Sequence, residues 1–104
     1  MSNAFPYYIE VTGSGTDDDP YVCNDTVANM EAIFNSGRSI AIKLQVATLG
    51  ANIMGYLYTY AINDIGRLSF VFILHNYTDM NPFILALNAQ EDGTYAVIIR
   101  TSFS

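Results

Sequence analysis

The sequence predicts an α+β domain in which one N-terminal helix packs on an antiparallel β-meander of about five to six strands. Three observations predict this fold class. Apolar residues recur at helical spacing in a single stretch, residues 27–36. Downstream, apolar segments with β-type alternation follow one another from residue 39 to residue 103. The connections between these segments are short, which favours antiparallel neighbours.

The N-terminal part contains a strand, a loop and a short extended segment. Residues 5–12 alternate and predict the first strand. Residues 13–20 are rich in Gly and Asp, which predicts a turn-rich loop. Residues 21–23 form a brief extended segment before the helix. Residues 1–4 look like a leader or an expression scar, so we expect a single domain over residues 5–104.

The helix has signals at both ends. Asp25 or Thr26 is expected to cap its N-terminus, because short oxygen-bearing side chains accept the first free backbone N–H groups. Gly37 is suited to the position just after the helix, where a left-handed conformation is common. The apolar stripe of the helix consists of Val27, Met30 and Phe34.

After the helix the sequence contains only strand and turn signals. The strands are expected over residues 39–46, 53–62, 67–75, 83–89 and 94–103. A turn is expected at residues 49–52, and the Asp92-Gly93 dipeptide is a strong hairpin signal. A longer loop, from Asn76 to Pro82, separates the third and fourth of these strands.

Several of these strands are apolar on both faces. In residues 67–75, Phe70 and Phe72 lie on one side, whereas Val71 and Ile73 lie on the other. A sheet with one solvated face should alternate apolar and polar residues, and one short helix can cover only one face. We therefore expect the second face to mediate self-association. The expected interface residues are Tyr56, Tyr58, Tyr60, Met54, Val71 and Ile73.

Three tyrosines follow one another at every second position in residues 53–62. This spacing predicts a ladder of Tyr56, Tyr58 and Tyr60 on one side of a strand. Tyrosine combines a large apolar ring with a hydroxyl that tolerates water, so it suits interfaces and sugar stacking. Three interpretations stay open: an ordinary half-buried sheet face, a subunit interface, and a platform for a glycan or peptide.

Composition excludes several classes of partner. The chain has 104 residues, 51% of them hydrophobic and only 13% charged, against about 25% charged in a typical soluble domain. Its net charge is −6 with four Lys and Arg, too few to neutralise a run of phosphates, so we expect no nucleic-acid partner. The same balance disfavours anionic membranes, and no apolar run reaches the roughly 20 residues of a spanning helix.

No signal peptide is visible, since the first 15 residues lack both a basic head and an apolar stretch. We therefore expect synthesis in the cytoplasm without a secretory signal. The final location of the protein stays open on these grounds.

The sequence contains no pattern typical of an enzyme, a cofactor site or a metal site. Cys23 is the only cysteine, and a half-buried small residue is favoured over a reactive thiol. His75 is the only histidine, and no nucleophile elbow or paired-histidine motif accompanies it. The run at residues 17–19 lacks the ligand spacing of a calcium loop, so a solvated turn is favoured. We expect no catalytic residues, no cofactor and no metal.

Residues 8–44 resemble the opening of small β-rich modules in prophage-encoded and phage tail-associated proteins of gut Firmicutes. Those modules show a Gly-x-Gly-Thr-x-x-Asp-Pro-Tyr stretch, a helix start, then Gly-Lys/Arg and a Lys-Leu strand. Here Thr26 directly follows Asp25, without the basic residue that is usual between them. The matching positions are Gly13, Gly15, Thr16, Asp19, Pro20, Tyr21, Asp25, Thr26, Gly37, Arg38, Lys43 and Leu44. The resemblance implies a building block or attachment element of a larger particle such as a virion.

Two functions from different classes follow from these observations. The first is a non-enzymatic structural or assembly module, phage-related by resemblance, that forms a homo-oligomer through its apolar, tyrosine-rich sheet face. The alternative is a module that binds a glycan or peptide through Tyr56, Tyr58 and Tyr60 or through the loop from Asn76 to Pro82. A small enzyme ranks last.

Overall fold

A computed structural model describes residues 6–46, 51–75 and 82–100 of the chain. Within these ranges the chain forms seven strands and one helix. In chain order they are β1 (Tyr7–Thr12), β2 (Val22–Cys23), α1 (Val27–Asn35), β3 (Ile40–Val46), β4 (Ala51–Ile62), β5 (Leu68–His75), β6 (Pro82–Ala89) and β7 (Tyr95–Arg100). The positions of the predicted helix and strands are thus confirmed to within a few residues. The predicted turn at residues 49–52 is wrong in its second half, since Ala51 and Asn52 belong to β4.

The predicted fold class is wrong. The described chain is mostly β, and all seven of its strands belong to one sheet of order β2-β1-β3-β4-β5-β6-β7. The strands at the two ends of this order, β2 and β7, contact each other, so the sheet is nearly closed into a barrel. The prediction assumed an open meander covered by the helix. A curled sheet can instead cover much of its inner face with its own strands.

The sheet also departs from a simple meander at its N-terminal side. β1 pairs in parallel with β3, with Ile9 opposite Ile42 and Val11 opposite Leu44. β2 pairs antiparallel on the other side of β1. A parallel pair needs a long crossover connection, and here the segment with β2 and α1 supplies it. The helix therefore follows two strands rather than preceding the sheet.

The core lies inside the curled sheet. On β5 the odd-numbered and even-numbered positions differ as predicted, with Phe70, Phe72 and Leu74 fully buried and Val71 and Ile73 only partly so. The other strands contribute from the same side. The inner cluster contains Ile9, Val11, Met30, Ile40, Ile42, Leu44, Leu68, Phe70, Phe72, Leu74, Leu85 and Leu87.

The helix lies at the end of the barrel where the β4–β5 and β6–β7 turns are found. The N–H of Val27 donates to the carbonyl of Gly93 in the β6–β7 turn, at 3.2 Å. Arg67, just before β5, forms a 3.1 Å ion pair with Glu31 of the helix. The ring of Phe34 packs edge-on against Phe70, with centroids 5.8 Å apart. α1 therefore covers one end of the core and not a whole sheet face.

Candidate functional site

The face of the sheet that points away from the core is apolar across most of its width. Cross-strand partners form one continuous apolar row on this side, Tyr8, Ala41, Tyr56, Ile73 and Ile84, and the charged Arg100 of β7 borders it next to Ile84. A second row contains Thr59, Val71, Ala86 and Ile98. Directly opposed residues point to the same side of a sheet, so the two rows form one surface. We call these nine residues the outer face.

The three tyrosines of β4 do not form a ladder on one side of the strand. The pairing of β4 with β5 contains a bulge between Leu57 and Thr59. Before the bulge Tyr56 is opposite Ile73 on the outer face, whereas after it Tyr60 is opposite the buried Phe70. One extra residue reverses the side to which all following residues point. The predicted ladder is therefore wrong, although Tyr56, Tyr58 and Tyr60 are each more than half exposed.

The remaining predicted interface residues fall on two strands. Val71 and Ile73 lie on the outer face, in the rows of Thr59 and Tyr56 respectively. Met54 is placed between Lys43 of β3 and His75 of β5, and its side chain lies outside the described part of the structure. The outer face thus brings Tyr56, Val71 and Ile73 together and separates them from Tyr60.

Sequence reasoning missed several members of the outer face. Tyr8 on β1 and Ile98 on β7 are 45% and 43% exposed, and neither was predicted to belong to this surface. Tyr8 joins it through Ala41, because β1 pairs with β3 in parallel. That pairing brings together residues far apart in the chain, and no local signal in the sequence indicates it.

The outer face is poor in negative charge, although the chain carries a net charge of −6. The strands β4, β5, β6 and β7 contain no Asp or Glu. On β1, Glu10 lies opposite Lys43 of β3, so this carboxylate has a cationic neighbour. The other acids of the described chain are Asp17, Asp18, Asp19, Asp25, Glu31, Asp64, Glu91 and Asp92, in loops, turns and the helix. Two copies could therefore bring their outer faces together without opposing carboxylates.

A cleft of about 400 Å³ opens between the C-terminal end of the helix and the start of β3. Tyr56 and Leu57 of β4 line it together with Arg38, which precedes β3. The remaining lining residues are Phe34, Gly37, Ser39 and Ile40. Apolar walls with a few polar groups are typical of sites for small ligands, and this volume lies within their usual range.

The polar cluster at the start of the helix is accounted for by capping. Thr26 is the N-cap residue, and its hydroxyl accepts the N–H of Asn29 at 3.1 Å. The hydroxyl of Tyr7 donates to the carboxylate of Asp25, and Asn29 donates to the same carboxylate at 2.7 Å. The hydrogen bond to Asp25 raises the pKa of Tyr7 because it holds the phenol in its protonated form. These contacts attach the helix to β1.

The residues considered for catalysis or metal binding are dispersed. Burial raises the pKa of the Cys23 thiol, which disfavours the reactive thiolate. Asp19 lies in the exposed loop between β1 and β2, where its carbonyl accepts three backbone N–H groups. His75 is at the exposed end of β5. Within residues 6–46, 51–75 and 82–100, no three His, Cys, Asp or Glu side chains are grouped as metal ligands.

One buried hydroxyl lacks a partner. Tyr95 begins β7, and its hydroxyl is buried without a hydrogen bond to any described atom. Burial raises the pKa of Tyr95 well above its ordinary value, since the phenolate would be poorly solvated there.

We expect Tyr95→Phe to stabilise the protein by about 1 kcal/mol, because the variant no longer buries an unpaired hydroxyl. Thermal unfolding at pH 7 followed by circular dichroism should show a higher Tm. A raised tyrosine pKa contributes stability that is fully present below about pH 10 and is lost as the pH rises further. The wild type should therefore lose more stability than the variant between about pH 10 and 12. A lower Tm for Tyr95→Phe would show that the hydroxyl has a partner in solution.

Comparison with known families, curated proteins and solved structures finds no match for this chain. The helix of the described part, α1, is too short to cross a membrane. The residues between β5 and β6, which contain most of the predicted binding loop from Asn76 to Pro82, lie outside the described residues.

Proposed function

We propose that this protein is a non-enzymatic assembly module that associates with further copies of itself through the outer face. The observation that carries the proposal is the continuous row from Tyr8 to Ile84, which crosses five strands. The sequences of these five strands contain one carboxylate, that of Glu10. Within this row Tyr8 and Tyr56 are 45% and 59% exposed and Ile73 is partly exposed, whereas Ala41 and Ile84 are buried. Large exposed apolar side chains that lie close together mark interaction sites. The resemblance of residues 8–44 to phage tail-associated modules supports a role as a building block.

A second copy is the occupant that the charge pattern favours. With a net charge of −6, two copies repel each other over most orientations. The repulsion is least where carboxylates are absent, and the outer face of β4 to β7 is such a region. A self-complementary apolar contact of this kind fits a two-fold interface, in which the same patch is used on both subunits.

Substitution of Ile98 by glutamate tests this proposal. Ile98 is 43% exposed on the outer face, and Ile65 is 42% exposed in the turn between β4 and β5, away from that face. We expect Ile98→Glu to weaken self-association at least about tenfold, because each interface would gain two opposed carboxylates. The matched control Ile65→Glu should leave it unchanged.

Sedimentation velocity over about 1 to 100 μM protein measures the average mass of each variant. We expect the average mass of the wild type to exceed the monomer mass. At equal concentration, the average mass of Ile98→Glu should be lower than that of the wild type. It is wrong if the two proteins sediment alike, or if Ile65→Glu weakens association as much as Ile98→Glu.

The cleft beside Arg38 favours a second candidate, a module that binds a neutral glycan or a peptide. Tyr56, which is exposed, and Arg38 both line this cleft, and the guanidinium of Arg38 lies 5.7 Å from the centroid of the Tyr7 ring. Stacking on an aromatic ring and hydrogen bonds to a planar guanidinium are common in sugar recognition. NMR titration with a neutral trisaccharide at millimolar concentration tests it, and shifts confined to Leu57, Ser39 and Ile40 would support this site. Unchanged spectra with trisaccharide and peptide probes would exclude it.

A further inference from the structure

β4 extends well beyond the strand beside it. Its pairing with β3 ends where Tyr56 meets Ala41, whereas its pairing with β5 continues to Ile62. Residues 57–62 therefore have β5 on one side and no described strand on the other. This part of β4 is a sheet edge, although the sheet as a whole is nearly closed.

At this edge, the backbone N–H and C=O groups of alternate residues point away from β5. The N–H of Asn63 donates to the carbonyl of Arg67 at 2.9 Å, which makes these two residues a hydrogen-bonded pair of the hairpin. Hydrogen-bonded and non-hydrogen-bonded pairs alternate along an antiparallel ladder. The backbone groups of Ile62 and Tyr60 therefore point away from β5, toward the edge. These two residues are 62% and 51% exposed, and the ring of Tyr60 packs on its inner side against Phe34 of α1, with centroids 4.6 Å apart.

This edge lacks most of the features that protect natural edge strands. Residues 57–62 read Leu-Tyr-Thr-Tyr-Ala-Ile, with no Lys, Asp, Glu or Pro. Aromatic and β-branched residues favour the extended conformation, and uncharged six-residue segments of this type pair readily with other strands. The bulge at Leu57 to Thr59 lies at one end of the segment and leaves the other end regular.

The charges at the two ends of the edge favour a second copy as the partner. Arg38 lies at one end, just before β3, with its guanidinium 5.7 Å from the centroid of the Tyr7 ring, and the exposed Asp64 lies at the other end, in the β4–β5 turn. In an antiparallel two-fold pairing about Tyr60, each end of one edge meets the opposite end of the other. Asp64 of one copy then lies near Arg38 of its mate, so the pairing is complementary in charge.

We propose that residues 57–62 of two copies pair antiparallel and join their sheets. The proposal deepens the assembly role and rests on it, since a strand-to-strand contact adds a second self-interface to the outer face. Two different two-fold interfaces on one chain produce species larger than dimers. The edge interface would be made of main-chain hydrogen bonds from Tyr60 and Ile62, in the manner of strand addition.

The test uses Ile98→Glu as the starting protein, so that the outer face no longer contributes. We expect this variant still to form dimers in sedimentation velocity. Adding Ile62→Lys should abolish them, because a charge at the edge blocks strand pairing. Adding Val22→Lys, which changes an exposed apolar residue of β2 at one end of the strand order, should leave them unchanged. Asp64→Arg should weaken pairing, and Asp64→Arg with Arg38→Asp should restore part of it.

Amide hydrogen exchange measures the protection of backbone N–H groups at the same edge directly. In dilute Ile98→Glu protein the amides of Tyr60 and Ile62 should exchange at least about tenfold faster than those of Thr59 and Ala61, which face β5. At high concentration the two edge amides should become protected. The proposal is overturned if they stay unprotected, or if Ile62→Lys and Val22→Lys have equal effects on the mass. Failure of the outer-face proposal is a separate result, namely an Ile98→Glu variant that sediments like the wild type.

Discussion

Replacing Gly55 with alanine should destabilise the protein by about 3 kcal/mol or more. Gly55 is a buried position of β4 between Ile42 of β3 and Leu74 of β5. A Cβ added there would lie 2.2 Å from the carbonyl oxygen of Ile73 and 2.7 Å from the side chain of Leu74. The first of these atoms is backbone, so relief requires the two strands to separate locally.

Urea denaturation of Gly55→Ala measures the loss, and Gly66→Ala is its matched control. Gly66 has a positive φ of 82° in the β4–β5 turn, and an added Cβ there has no atom within 4 Å. The control should therefore cost only about 1 kcal/mol, from backbone strain alone. Equal losses in the two variants would show that the close approach of β4 and β5 is absent in solution.

Truncation of Phe72 to alanine should cost about 3 to 5 kcal/mol, enough to unfold much of a marginally stable domain. Phe72 is fully buried near the middle of β5, opposite Leu57 on one side and Leu85 on the other. The truncation removes a ring from the centre of the curled sheet and leaves a cavity that strands on both sides border.

Tyr56→Ala is the control for this truncation. It removes an aromatic ring of similar size from the same sheet, but from a side chain that is 59% exposed. We expect a loss within about 0.5 kcal/mol in the monomer, measured by urea denaturation at low protein concentration. If both truncations were equally costly, the assignment of inner and outer faces would be wrong.

The two proposed self-contacts would make different demands on the chain. The outer face depends on side chains, so one glutamate at Ile98 is expected to weaken it. The edge contact would depend on backbone groups of Tyr60 and Ile62, which no side-chain substitution removes. A charged side chain at Ile62 would instead oppose strand pairing by repulsion and steric conflict. A module with both kinds of contact can extend in two directions, which suits a building block of a particle.

Much of the local structure could be predicted from the sequence. The helix stripe of Val27 and Met30, the Thr26 cap and Gly37 after the helix depend on residues within one or two turns of each other. The alternation on β5 likewise separates Phe70 and Phe72 from Val71 and Ile73 by strand geometry alone. These properties are local, so neighbouring residues suffice to indicate them.

The candidate site could be predicted only in part. The exposure of Tyr56 agrees with the sequence, but its separation from Tyr60 follows from a bulge that no residue pattern in β4 indicates. The contribution of Tyr8 required the parallel pairing of β1 with β3. The unpaired part of β4 at Tyr60 and Ile62 arises because β3 begins only at Ile40, beside a longer β4, which is a relation between two strands.

The sequence by itself determined where the helix and strands lie, which side of β5 is buried, and that β4 to β7 carry no carboxylates. Only the tertiary structure decided that the sheet curls until β2 meets β7, that the tyrosines of β4 divide between two sides, and that β4 continues past its pairing with β3. The physical reason is that periodicity specifies which side chains prefer burial, whereas register and closure depend on pairings between distant segments.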